Sequence, residues 1–495
     1  MQRRARARAI SATAIALCAF GSLVHVAPPV GATARSTPTA APITWRACSA
    51  GFRCGTLTVP VDDAAPAGAT LDLAVLRKPA RHPQAKIGTL VFNPGGPGAP
   101  GVSFLRAIAD TLPERIQDRF DLVAFDPRGV GRSSPVECED SLDPLFDQSF
   151  QPATDAERTG LVDAVRALAD ACAARSGALL PHVSTVDAVH DLERLRVALG
   201  EDQLSFVGYS YGTFLGATYA STYPDRVRAF VLDGPVDPTT SARDVTLGQA
   251  RGFEHSLDDF LADCSAHPGC AFHHDGHAAR AYDALRARAA RGPLPAAGVS
   301  GRGLNQTRFD AAVLQQLYLG RAAWPALATA LEAAAGGDAS VLLEQADAFV
   351  GRDGAGHDDH ALEAFWAVSC LDGPAIGGLA DAATLEAQAI ALAPRLGAFI
   401  VNNSLPCSVW PVAPVAAPGR LEAKGAPPIL VVGTTDDPAT PLAQAKALAA
   451  SLRHGRLLVA AGEQHTSFNV GNGCVDRAVT RYLVDLQPPR SGTRC

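Results

Sequence analysis

Leu204-Ser205-Phe206-Val207-Gly208-Tyr209-Ser210-Tyr211-Gly212-Thr213-Phe214-Leu215-Gly216-Ala217 is the stretch on which the fold turns. An apolar run of strand length meets Gly-Tyr-Ser-Tyr-Gly and passes directly into residues of helical character. Two glycines flanking the serine allow a sharp strand-to-helix turn that holds the Ser210 hydroxyl above a sheet edge. The pentapeptide alone is also compatible with an ordinary turn, so its surroundings have to decide.

Outward from this stretch, strands alternate with helices. Thr89-Leu90-Val91-Phe92 runs into Asn93-Pro94-Gly95-Gly96-Pro97-Gly98. Phe120-Asp121-Leu122-Val123-Ala124-Phe125 runs into Asp126-Pro127-Arg128-Gly129. Glycine-rich loops after strands are the usual place for function in an open α/β sheet. Ser184 to Leu199 predicts a helix, with Ser184 and Asp187 as a capping pair and Gly200 as its stop; its apolar face carries Val186, Val189, Leu192, Leu195 and Leu199. Ala229-Phe230-Val231-Leu232-Asp233-Gly234 is a further strand, and 56–61 with 71–76 form a leading hairpin. The expected class is α/β, a mostly parallel central sheet with helices on both faces.

From 238 to 425 strand-like runs vanish and Ala/Leu-rich helical stretches dominate, which reads as one large helical lid inserted into the sheet domain. The division is then 1–34 as a leader, 35–237 as the first part of the core, 238–425 as the lid and 426–495 as the rest of the core. The sheet resumes with Ile429-Leu430-Val431-Val432 and Arg456-Leu457-Leu458-Val459.

The 495 residues contain 47% hydrophobic and 19% charged side chains, which describes a folded chain with a large core. Arg3, Arg4, Arg6 and Arg8 precede an apolar run from Ile10 to Phe20, and small residues follow at Val30-Gly31-Ala32 and Ala32-Thr33-Ala34. This is the pattern of a secretory signal cleaved near 32–34, giving a released or wall-associated protein. Losing four arginines and no acid takes the formal charge from −7 to −11, which argues against nucleic acid as a partner. No later segment has the apolar length of a membrane span.

Of eleven cysteines, Cys18 lies in the leader, leaving ten, an even number suited to disulfides in an oxidising compartment. Connectivity does not follow from sequence, but spacing pairs neighbours: Cys48 with Cys54, Cys138 with Cys172, Cys264 with Cys270, Cys370 with Cys407, and Cys474 with Cys495. Zinc is disfavoured because no C-x-x-C occurs. His273, His274, Asp275 and His277 read as a solvated loop, so neither metal nor cofactor is expected.

A serine nucleophile on this scaffold requires an acid and a histidine after later strands, in the order Ser, Asp, His. Asp436 and Asp437 both follow the strand ending at Val432; Asp437 is preferred, with Pro441 marking entry to the next helix. His465 follows the last strand expected, which ends at Val459, and would take the Ser210 proton as general base. The oxyanion donors expected are the N–H of Tyr211 and one from the Gly95-Gly96 pair, with Gly96 preferred. Asp126-Pro127-Arg128-Gly129 is assigned to structure, as an ionic clamp beside the site.

Taken together, the chain resembles the secreted tripeptidyl aminopeptidase family, relatives of prolyl aminopeptidases with the α/β-hydrolase fold. The marks are Cys48 and Cys54 before Val59-Pro60-Val61-Asp62, the loop 93–98, Asp126-Pro127-Arg128-Gly129, and Gly208-Tyr209-Ser210-Tyr211-Gly212-Thr213. Later come Asp437-Pro438-Ala439-Thr440-Pro441, Gln464-His465-Thr466, and the terminal Cys474 and Cys495. The resemblance covers nearly all of the chain beyond the leader. It implies release of short peptides, tripeptides by analogy, from free N-termini of peptides or proteins through an acyl-serine intermediate. A lid that chooses such substrates must hold a cationic α-amino group, which calls for a carboxylate. Asp372, after the helix expected over 361–371, is the candidate; its plainer reading is a helix-end surface acid. Two other readings stay open: a carboxylester hydrolase or lipase with the same triad, and an inactive secreted binding protein on a hydrolase scaffold.

Overall fold

The computed structural model describes residues 42–495 except 298, 300, 374–375 and 416–418. The leader, its cleavage site and Cys18 lie outside the described residues.

Ten strands form one sheet in the order β1-β2-β3-β5-β4-β6-β7-β10-β11-β12. The leading strands are β1 (Arg46–Ala47), β2 (Arg53–Pro60) and β3 (Thr70–Lys78), followed by β4 (Gly88–Asn93) and β5 (Phe120–Phe125). Next come β6 (Leu204–Tyr209) and β7 (Val227–Asp233). A two-residue pair, β8 (Leu294–Pro295) and β9 (Gly303–Leu304), lies apart from the sheet. The sheet is completed by β10 (Ile429–Thr434), β11 (Gly455–Ala460) and β12 (Thr493–Arg494). From β5 to β12 every neighbouring pair is parallel, and the leading hairpin joins antiparallel through β3 and β5.

Parallel strands buried on both faces send alternate side chains into two cores. Val123, Phe125, Phe206, Ile429 and Val431 enter one, which also holds Val189, Leu192 and Leu195. Leu122, Ala124, Val207, Leu430 and Val432 enter the other, with Leu105, Ile116 and Val479. The helix Thr185–Leu199 begins with the reciprocal Ser184–Asp187 cap and ends at Gly200, φ 74°. Val186 departs from the expected apolar face: it is exposed, and Ala188 takes its place against the core.

Between β7 and β10 the chain is mainly helical, including Ala242–Ala266, Gln306–Leu317, Trp324–Ala335 and Ala361–Asp372. Strand pairing does not vanish there, since β8 and β9 pair; two residues per strand are too few to leave an alternating pattern. A third apolar cluster unites these helices with Val136, Leu161, Leu168 and Val183, which precede the nucleophile strand in sequence. All five expected disulfides are present, Cys48–Cys54, Cys138–Cys172, Cys264–Cys270, Cys370–Cys407 and Cys474–Cys495.

Candidate active site

Ser210 sits between β6 and the helix Tyr211–Thr222 at φ 54°, ψ −125°, a conformation that non-glycine residues rarely adopt. Its N–H donates to the Asp233 carbonyl at 2.9 Å, and its own carbonyl accepts from the N–H and hydroxyl of Thr213. The turn closes because its glycines are bare. A Cβ on Gly208 would lie 2.2 Å from the Gly212 oxygen, and one on Gly212 would lie 2.6 Å from Asn93 Oδ1.

The loop after β4 approaches from beside this turn. Gly95 N–H is engaged by Asn93 Oδ1 at 3.0 Å, and Gly95 Cα packs against the Tyr209–Tyr211 backbone. Neither Gly96 N–H nor Tyr211 N–H donates to another described residue. Gly96 and Ser210 line the same two cavities, so a donor from this loop would be Gly96.

After β10, Asp437 is buried and its carboxylate grips His465 Nδ1, at 3.0 Å from Oδ1 and 2.9 Å from Oδ2. Oδ1 also accepts from the N–H groups of Ala439 and Thr440, and Oδ2 from the Thr440 hydroxyl. Asp436 is exposed and accepts from Thr435. Burial opposes charging the His465 ring, but the Asp437 carboxylate more than offsets this, so its pKa lies above the ordinary histidine value. The Tyr318 ring meets His465 edge-on at 5.5 Å and the Tyr318 carbonyl accepts the His465 N–H. His465 Nε2 is buried with no partner among the described residues, and no hydrogen bond yet joins it to Ser210. The two residues meet on one segment. The Asp233 carbonyl holds Ser210, and the place a Cβ would take on the adjacent Gly234 lies 3.0 Å from His465 Cε1.

Ser210 opens into two cavities. One, of about 340 Å³, is walled by Phe253, Leu314, Tyr318, Phe349, Phe399 and Ile400. The other, of about 510 Å³, is lined by Tyr211, Phe214, Ser369 and Asp372 among others. Asp372 is the last residue of its helix, part-buried, with Oδ1 accepting from Thr185 N–H at 2.9 Å and Oδ2 from the Thr185 hydroxyl at 2.5 Å. That hydroxyl also bonds the Tyr211 phenol. Burial pushes the Asp372 carboxyl up to about 6 despite these bonds, with the nearby Asp187 charge adding to the rise.

Arg128 is a clamp, but not to Asp126. Its guanidinium forks onto Asp191 of the helix Thr185–Leu199 at 2.7 and 2.8 Å and donates to the carbonyls of Pro60, Val61 and His182. Asp126 instead accepts the N–H groups of Val102 and Arg132. In the histidine cluster His274 pairs with Glu332 and His277 bonds the Asp275 carbonyl; among the described residues no group of three His, Cys, Asp or Glu is placed to hold a metal. Sequence reasoning missed Thr185, the residue that holds Asp372, whose only local signal is its place one residue after a helix cap.

An imidazole nitrogen with no partner among the described residues, on a ring held by a buried carboxylate, can take up a proton, and the N–H groups of Gly96 and Tyr211 are placed to stabilise an oxyanion. A family model described as the alpha/beta hydrolase fold matches residues 88–471, and the chain belongs to that family. It is 35% identical to serine protease Hip1 of Mycobacterium tuberculosis over 480 residues, covering 92% of this chain and 91% of that protein. It is 35% identical to carboxylesterase B of the same organism over 511 residues, 96% of each chain. Tripeptidyl aminopeptidase of Streptomyces lividans is 32% identical over 464 residues, 89% of this chain and 84% of that protein. Within the α/β hydrolases, the protein is therefore a serine peptidase of the tripeptidyl aminopeptidase-like family.

Proposed function

We propose that the protein is an exported exopeptidase that releases short peptides, tripeptides first among them, from free N-termini through an acyl-enzyme on Ser210. The observation that carries this reading is the pairing of Asp437 with His465 Nδ1, which leaves the buried Nε2 without a partner among the described residues, on a ring that reaches the Asp233-Gly234 segment holding Ser210. In the first step Ser210 Oγ attacks the scissile carbonyl carbon and its proton passes to His465 Nε2. Asp437 fixes the ring and stabilises the imidazolium. The N–H groups of Gly96 and Tyr211 hold the oxyanion. His465 then protonates the leaving amine, the C–N bond breaks, and the peptide remains esterified to Ser210. Water, deprotonated by the same nitrogen, hydrolyses the ester. No step calls for a metal or cofactor.

Asp372 holds the substrate's α-ammonium, and the helices of 238–425 form the lid that limits the length of peptide admitted. Export agrees with the five disulfides, which belong to an oxidising compartment. Among the described residues no helix is long and apolar enough to cross a membrane.

Chromogenic anilides of one, two and three residues, with free and acetylated N-termini, run beside p-nitrophenyl acyl esters, test the reading. Greatest kcat/KM on free tripeptide anilides is expected, and Ser210→Ala should lower kcat by at least about a thousandfold in a folded protein. Faster turnover of acetylated peptides sinks the exopeptidase claim. Activity confined to esters favours the carboxylesterase reading, which the 35% identity to carboxylesterase B keeps in view.

A further inference from the structure

The carboxylate of Asp233, at the end of β7, is fully buried and faces no Lys or Arg among the described residues. It accepts the N–H of Ser467 at 3.1 and 2.9 Å and that of Phe468 at 2.7 Å, immediately after His465 and Thr466. Its carbonyl meanwhile accepts the Ser210 N–H. One residue thus grips the nucleophile turn with its backbone and the histidine loop with its side chain.

A buried anion is costly, and neutral acceptors could satisfy backbone N–H groups without that cost. The groups around it explain why a charge stands there. Asp437 and His465 face it from the loops after β10 and β11, and Tyr209 from β6, with Asp476 beyond Tyr209. Of these only His465 gains positive charge in the proposed reaction. Burial lifts the Asp233 carboxyl to about 6, and the N–H groups of Phe468 and Ser467, with the His465 ring, pull against that rise.

We infer that Asp233 is a positioning residue: it sets the His465 loop relative to Ser210, and its charge stabilises the His465 imidazolium without touching it. The inference rests on the proposed Ser210–His465 chemistry.

The test is the rate of Ser210 phosphorylation by diisopropyl fluorophosphate from pH 4.5 to 9, followed by intact mass. In this reaction Ser210 Oγ bonds phosphorus, fluoride leaves and the proton goes to His465; no substrate amine is involved, so Asp372 does not enter. Removing a neighbouring anion lowers the histidine pKa. Asp233→Asn, shown folded by circular dichroism, should therefore react about tenfold or more slowly at pH 8, with its acid limb moved down by about half a unit or more. Asp233→Glu should restore the acid limb while remaining slower. An unmoved acid limb in folded Asp233→Asn overturns the inference. So does failure of both Asp233→Asn and Asp233→Ser to fold, since that makes the carboxylate a requirement of folding. Labelling that survives Ser210→Ala would instead overturn the parent reading.

Discussion

Thr185 donates both its backbone N–H and its hydroxyl to the carboxylate of Asp372, 187 residues away in sequence. The first turn of one core helix is thereby tied to the last turn of a helix in the insertion, at the wall of the Ser210 cavity. Both donors are neutral, so they orient the carboxylate without pairing its charge.

Replacing Asp372 by Asn should raise KM for free-amino tripeptide anilides about thirtyfold or more at pH 7.5, with a smaller change in kcat. In the proposed reading the charged carboxylate is the binding form, and burial pushes that carboxyl up to about 6. In the wild type, kcat/KM for these substrates should therefore fall further below pH 6 than that for acetylated peptides. Equal losses on both substrate types would remove the assignment.

Asp437→Asn should lower kcat about ten-thousandfold, because the amide cannot hold the His465 ring in the same tautomer and charge state. Asp436→Asn, at an exposed position, should stay within about twofold of wild type in steady-state assays. Reversal of this order would move the acid to Asp436.

Gly98 lies against the helix Ala361–Asp372. A Cβ there would be 2.2 Å from the Ala361 oxygen and 2.9 Å from Phe365 N, and φ is +95°. Gly98→Ala should displace the helix that ends in Asp372, raising KM for free-amino peptides more than it lowers the rate of labelling by a fluorophosphate. An equal effect on both would place the damage in the Ser210 turn.

Cys370, in the last turn of the same helix, is bonded to Cys407, which also lines the cavity. The double alanine variant should lose about 3–4 kcal/mol of stability in urea titrations. Its KM for free tripeptides should rise as well, since Asp372 lies two residues from the lost bond.

Asp63 is half-buried. Burial alone would raise its carboxyl, but His190 and Arg194 outweigh this and hold it down at about 2. A depressed carboxyl contributes stability above its unfolded value near 4, and that contribution is lost as pH falls through the folded value. Asp63→Asn should therefore be about 2 kcal/mol less stable at pH 7, and its denaturation midpoint should converge on wild type between pH 4 and 2. A difference at pH 2 as large as that at pH 7 would exclude ionic origin.

The strands were legible because both of their faces are buried, leaving short unbroken apolar runs such as Ile429-Leu430-Val431-Val432, bounded by turn residues. The cap of Ser184 and Asp187 was legible because it closes within four residues. Val186 was misplaced because helical spacing gives the direction of a side chain and not whether anything lies opposite it. The pair β8 and β9 was missed because two-residue strands carry no period. Arg128 was recognised as a clamp, but its partner Asp191 lies 63 residues on, beyond any local pattern.

By itself the sequence determined the strand runs that feed the sheet, the serine turn and the number of cysteines, because a strand or a turn rests on neighbours within a few residues and a count needs no partner at all. Tertiary structure alone decided that Asp437 and not Asp436 reaches His465, that Asp372 rests on Thr185, and that Asp233 joins the two loops. These depend on where strand ends and distant helices meet in space, a relation that chain-local propensities do not encode.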